Sequence, residues 1–187
     1  MKNSKLHYVT GNVKKFQNAS NFMRPYGINI VQAKLDIAEI QSDSFETIAI
    51  DKAKKSFEIL NEPLFINDAA WVITALNGFP GPFMKYVNNW FSAEDFINLM
   101  LRHKNREVIL RDTIVYINGS ETKVFSYENK GVLLQEVKGD SGLPSARVIS
   151  LSKNGLSISE ENEKGSFYLE SEQKIWKDFA DWLNENK

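Results

Sequence analysis

The sequence contains no cysteine. Disulfides, thiol nucleophiles and cysteine-ligated zinc are therefore excluded. Histidine is almost as scarce: His7 and His103 fall in strand-like and helix-like patterns without metal-ligand spacing, which favours structural roles for both. No stretch approaches the ~20 apolar residues needed to span a bilayer. The opening Met1-Lys2-Asn3-Ser4-Lys5 carries no apolar signal core, so a cytoplasmic protein with no membrane partner is expected. Excess positive charge is also missing. Lysine and arginine number 23 against 24 acids, for a net charge of -1, and no basic stripe interrupts the balance, so no nucleic-acid partner is expected. The four tryptophans fit a core, a dimer interface or helix anchors better than base-stacking platforms.

What is present is an ordinary globular chain of 187 residues, 42% hydrophobic and 25% charged, without internal repeats or a dividing linker. One domain spanning 1–187 is expected. Leu6 to Thr10 reads as a strand ended by Gly11-Asn12. A helical pattern follows from Lys14, with Phe16, Ala19 and Met23 on one face, and stops near Pro25 and Gly27. Ile28 to Leu35 completes a strand, turn, helix, strand opening, the usual start of an α/β protein. Asp43-Ser44-Phe45-Glu46 marks a second helix start, with Asp43 as cap, running to about Leu60. Leu64-Phe65-Ile66 reads as a buried strand terminating in Asn67-Asp68, with Trp71 to Leu76 as another. Ser92 opens a helix through about His103. Val108 to Ile117 and Glu121 to Tyr127 flank Asn118-Gly119, a strong hairpin signal. Val132 to Val137 and Ala146 to Leu151 add strand candidates, and a helix from about Ser171 aligns Ile175, Phe179, Trp182 and Leu183.

Four features carry chemistry. Thr10-Gly11-Asn12-Val13-Lys14-Lys15 joins a strand to a helix, whose free N–H groups and partial positive charge attract phosphate. Gly11 permits close backbone approach, and Lys15 reaches phosphate as a point charge; a plain helix cap beside a solvated lysine pair is the competing reading. Glu39 and Asp68 each lie at the end of an expected strand, where α/β folds bind ligands. They suit either a magnesium site or an ordinary surface acid and turn aspartate. Lys52 shares its helix side with Phe45, Ile48, Ala49 and Ser56. It either snorkels past apolar neighbours or aims at a ligand phosphate. Asn77-Gly78-Phe79-Pro80-Gly81-Pro82 fixes a rigid loop that presents Phe83 and Lys85, to a base and a phosphate or merely as a corner.

Together and in order, these pieces resemble the inosine-triphosphate pyrophosphatase family, the non-canonical purine nucleoside triphosphatases. Thr10-Gly11-Asn12-x-x-Lys15 is similar to the family's opening phosphate motif. Asn67-Asp68 followed by Ala75-Leu76-Asn77-Gly78-Phe79-Pro80-Gly81-Pro82 resembles its central acidic strand and Pro-Gly segment. The resemblance implies an α/β fold with an elongated mixed central sheet flanked by helices. It also implies two lobes with a cleft, the second over roughly residues 90–150, and a homodimer. The implied reaction cleaves a nucleoside triphosphate to the monophosphate and pyrophosphate with Mg2+. Glu39 and Asp68 would bind the metal, and Asp68 and Lys15 would be catalytic. Thr10, Gly11, Asn12, Lys14, Lys15, Lys52, Phe83, Lys85 and Lys164 would bind substrate.

The sequence also departs from the family pattern. Asn67 stands where the family has an acid. The segment from Gly139 to Arg147 lacks the aromatics of the family's Phe-Gly-Tyr/Trp-Asp-Pro. The Ser-His-Arg triplet that reads the purine base is absent from the stretch Lys164 to Glu170, where Lys164 matches a family lysine. A divergent pyrophosphohydrolase is the expectation. The alternative is a catalytically weakened relative that binds a nucleotide or another protein.

Overall fold

The computed structural model describes residues 5–165 and 170–186. Among the described residues, seven strands and six helices make a mixed α/β arrangement. The strands are β1 (Leu6–Val9), β2 (Ile30–Ala33), β3 (Leu64–Ile73), β4 (Pro80–Gly81), β5 (Glu107–Ile117), β6 (Thr122–Leu133) and β7 (Ile149–Ser150). The helices are α1 (Val13–Met23), α2 (Phe45–Leu60), α3 (Met84–Trp90), α4 (Ala93–Leu99), α5 (Ile158–Glu163) and α6 (Glu170–Glu185). The strands form one central sheet in the order β2-β1-β3-β5-β6-β7, with β4 on β3. β1 runs parallel to both β2 and β3, whereas β3–β4 and β6–β7 are antiparallel.

The chain forms two compact units. The first comprises Met1–Asp68, Asp112–Tyr127 and Ser171–Lys187; the second comprises Ala69–Arg111 and Glu128–Glu170. In the first unit, side-chain alternation along the strands feeds two cores, one on each face of the sheet. Tyr8, Phe65, Ile114 and Tyr116 pack with Ala19 and Met23 of α1 and Ile175, Trp176 and Phe179 of α6. Val9, Leu64, Ile66, Val115 and Ile117 pack with Ala49 and Ala53 of α2. Leu64-Phe65-Ile66 is thus fully apolar because it is buried on both sides. The second unit has its own core, built around Ile73, Phe96, Met100, Val108, Leu133 and Ile149.

Several expectations are corrected. β3 does not end at Asn67-Asp68 but continues through them to Ile73, and Thr74–Leu76 is a single 3-10 turn rather than strand. The cap of α2 is Ser44, whose Oγ accepts from the N–H of Thr47 at 3.2 Å, not Asp43. The helix after Ser92 closes at Leu99, short of His103. The strand expected over Val132 to Val137 is the end of β6, which stops at Leu133. Of the Ala146 to Leu151 candidate only Ile149–Ser150 pairs, after a 3-10 turn at Pro144–Arg147. Helices α3 and α5 went unmarked in the sequence reading. The Asn118-Gly119 turn joins β5 to β6 as expected, with the Asn118 side-chain oxygen accepting from the N–H groups of Ser120 and Glu121. No helix among the described residues is long and apolar enough to cross a membrane.

Candidate active site

The turn after β1 is built by its own side chains. Asn12 caps α1, its Oδ1 accepting from the Lys15 N–H at 3.1 Å, a contact worth about 1 kcal/mol. Thr10 Oγ1 accepts from the Asn12 N–H at 3.1 Å, and Gln32 on β2 donates from Nε2 to the Thr10 carbonyl at 3.0 Å. Thr10, Gly11 and Asn12 are thereby held at the α1 N-terminus, where free N–H groups favour an anion. Gly11 does not adopt a left-handed backbone, and beyond its two chain neighbours no protein atom lies within 4 Å of the position its β-carbon would take. Lys14 and Lys15 are both exposed on the first turn of α1. The Lys15 ammonium turns toward the sheet and donates to the Asn67 carbonyl at 3.4 Å.

That contact ties the turn to the residue before Asp68. Leu64 and Ile66 face α2, so alternation points Asp68 the same way. On α2, Lys52 lies on the helix side that also buries Ala49, Ala53 and Ser56. Its Nζ reaches Glu39 Oε1 at 2.6 Å and Asp68 Oδ2 at 3.7 Å. Glu39 sits in the segment between β2 and α2. Lys55 steadies that segment, donating to the neighbouring Ala38 carbonyl at 3.1 Å while pairing with Asp51 at 2.7 Å. Burial of Lys52 pulls the pKa of its ammonium down. The hydrogen bond to Glu39 and the charges of Asp68 and Glu39 more than offset this, leaving it above the ordinary lysine value.

The structure therefore gathers Thr10, Gly11, Asn12 and Lys15 around one turn, and Glu39, Lys52 and Asp68 around one ammonium. The Lys15–Asn67 contact links the two groups. Asn67 itself turns its amide away from an acid's role, donating from Nδ2 to the Thr113 carbonyl at 3.3 Å. Gln32, Lys55 and Thr113 support this site, and the sequence reading passed over all three. For Lys55 a signal existed: it stands one helical turn from Lys52. Phe83, Lys85 and Lys164 belong to the second unit, where all three are exposed; Phe83 precedes the first turn of α3 and Lys164 closes α5. Residues 166–169, in the stretch aligned with the base-reading triplet, lie outside the described residues.

A divalent ion suits the donor set. Glu39 and Asp68 offer hard oxygens that already converge on one cation, and both are partly open to water. Among the described residues, no three histidine, cysteine or acidic side chains form a group placed to hold a metal ion. Magnesium needs no such group: one or two carboxylates, waters and substrate phosphate complete its octahedron.

The model of the Ham1 family matches residues 6–145, three-quarters of the sequence. The chain belongs to the Ham1 family. Curated relatives agree along nearly the whole length. The dITP/XTP pyrophosphatase of Methanopyrus kandleri is 29% identical over 183 residues, 97% of this chain and 97% of that protein. The dITP/XTP pyrophosphatase of Thermococcus kodakarensis is 27% identical over 182 residues, 97% and 98% of the two chains. Among solved structures, the Ham1 protein of Staphylococcus aureus superposes with a TM-score of 0.81 at 19% identity, covering 98% of this chain and 100% of that one. The Ham1 protein of Coxiella burnetii gives 0.83 at 16% identity, covering 97% and 99%. At these identities the two structures show the fold alone, while the family match shows the membership.

Proposed function

We propose that this Ham1-family protein is a nucleoside-triphosphate pyrophosphohydrolase, cleaving an NTP or dNTP to the monophosphate and pyrophosphate. The observation that carries the reading is the convergence of Glu39, Lys52 and Asp68 next to a phosphate-ready turn at Thr10–Lys15. The names of the curated relatives support the same reaction class.

In this reading Thr10, Asn12 and the N–H groups at the start of α1 hold phosphate oxygens, and the open space at Gly11 lets the phosphate chain approach the backbone. Lys15 and Lys52 neutralise charge that grows on the phosphate oxygens as the bond breaks, and Lys14 adds attraction from the same turn. Glu39 and Asp68 would hold a magnesium ion, which would supply Lewis-acid neutralisation of the triphosphate. Asp68 accepts a proton from the water that attacks phosphorus, and pyrophosphate departs with the bridging oxygen. Phe83, Lys85 and Lys164 are further substrate-binding residues in this reading. The protein works as a cytoplasmic homodimer.

The test is pyrophosphate release from a panel of standard and deaminated nucleoside triphosphates, with and without magnesium, beside Asp68→Asn. Turnover that needs both the metal and Asp68 supports the reading, and the preferred base then defines specificity. A folded protein silent across the panel, yet binding a nucleotide tightly and indifferent to Asp68→Asn, would replace it with a binding protein.

A further inference from the structure

The two carboxylates assigned to the metal already share a cation. Lys52 Nζ lies 2.6 Å from Glu39 and 3.7 Å from Asp68, and the Lys52 side chain keeps only 24% of its surface exposed. Its stem rises from the buried side of α2 between Ala49 and Ala53, both wholly buried, which restricts where the ammonium can travel. A divalent ion drawn to Glu39 and Asp68 therefore meets a fixed positive charge at close range, where water screens less than in bulk. Two carboxylates cannot balance a dication and an ammonium together. A bound phosphate can, because it offers the ammonium another anion.

We propose that Lys52 is an internal counter-cation that holds Glu39 and Asp68 in the nucleotide-free protein and makes divalent-metal binding conditional on phosphate. Lys52 yields the two carboxylates when a phosphate oxygen is present to receive its ammonium. The inference rests on the metal assignment under the proposed function. It gives Lys52 a role that simple phosphate binding does not: a lysine that only binds phosphate leaves metal affinity unchanged when nucleotide is absent. One that merely tethers Glu39 would weaken metal binding on removal. A counter-cation does the reverse.

The measurement is titration with Mn2+ alone, following the resonance of the free ion, on the full chain without nucleotide. Lys52→Gln should bind Mn2+ about fivefold or more tighter than the parent, the low end of an ordinary coupling between two ligands. Lys52→Met keeps the apolar stem and should do the same, so the result does not depend on one variant folding. Lys52→Arg, which keeps the charge, and Lys54→Gln, which removes one from the exposed side of α2, should stay near the parent. Adding Glu39→Gln to Lys52→Gln should erase the gain. Unchanged or weaker Mn2+ binding by both neutral variants overturns the proposal, as does an equal gain from Lys54→Gln. Pyrophosphate release separates the two readings: turnover without the gain removes only the counter-cation, and the gain without turnover removes only the hydrolase.

Discussion

The Asn67 side chain donates from Nδ2 to the carbonyl of Thr113 at 3.3 Å, a bond between β3 and β5 made one residue before Asp68. Placing an acid at 67 would therefore do more than restore a missing carboxylate. Asn67→Asp turns a donor into an oxygen facing another oxygen in a partly buried position. A loss of about 1–2 kcal/mol of stability at neutral pH is expected, read from urea unfolding. An unchanged or raised midpoint would mean that the Thr113 contact contributes nothing.

Lys15 tests the charge side of the site. It is exposed, and its ammonium reaches the Asn67 carbonyl at 3.4 Å from the first turn of α1. Lys15→Met should leave the melting temperature nearly unchanged, as surface substitutions usually do. It should lower kcat for pyrophosphate release by about 10²–10³, the ordinary cost of removing one group that stabilises transition-state charge. A rise in KM with kcat intact would instead make Lys15 a ground-state binder.

The loop at 139–141 carries a pH dependence of its own. The Glu163 carboxylate accepts from the Asp140 N–H at 2.9 Å, from the Ser141 and Ser159 hydroxyls, and from the Ser141 N–H. Led by the Asp140 bond, these hold its pKa below the ordinary glutamate value of 4.5. A depressed carboxylate adds stability that is present above that value and lost as pH falls through the lower folded one. Hydrogen exchange at the Asp140 and Ser141 amides, corrected for intrinsic rates, should speed up below pH 4.5. Glu163→Gln should flatten the profile; a parent profile already flat would remove Glu163 as the lock.

How far the sequence reveals this molecule differs from place to place. The β1 turn and α1 are legible because Asn12 is a strong cap and the apolar spacing of Phe16, Ala19 and Met23 matches the buried face. Lys52 betrays itself by sitting on the wrong side of an amphipathic helix. Its partners do not, since Glu39 and Asp68 arrive from a connecting segment and a strand, and only tertiary register brings them to one ammonium. The extension of β3 through Asn67-Asp68 was hidden because paired polar residues normally punctuate strands. Here the Thr113 contact answers the Asn67 amide, and Lys52 answers the Asp68 charge. Ser44 displaces Asp43 as cap because Ser42-Asp43-Ser44 offers three capable residues in a row, and composition cannot rank them.

Gly11 leads beyond the fold. No backbone strain and no neighbouring atom requires a glycine there. Gly11→Ala should leave the melting temperature unchanged or slightly higher, since alanine restricts the unfolded chain more. Inorganic pyrophosphate should bind the variant more weakly, as calorimetry can read. Equal affinity would show that the space is not used by phosphate. An engineering screen that ranks substitutions by heat resistance would thus welcome alanine at 11 and silently discard the ligand. Weaker pyrophosphate binding by the alanine variant would mean that a ligand, not the polypeptide, asks for glycine at that position.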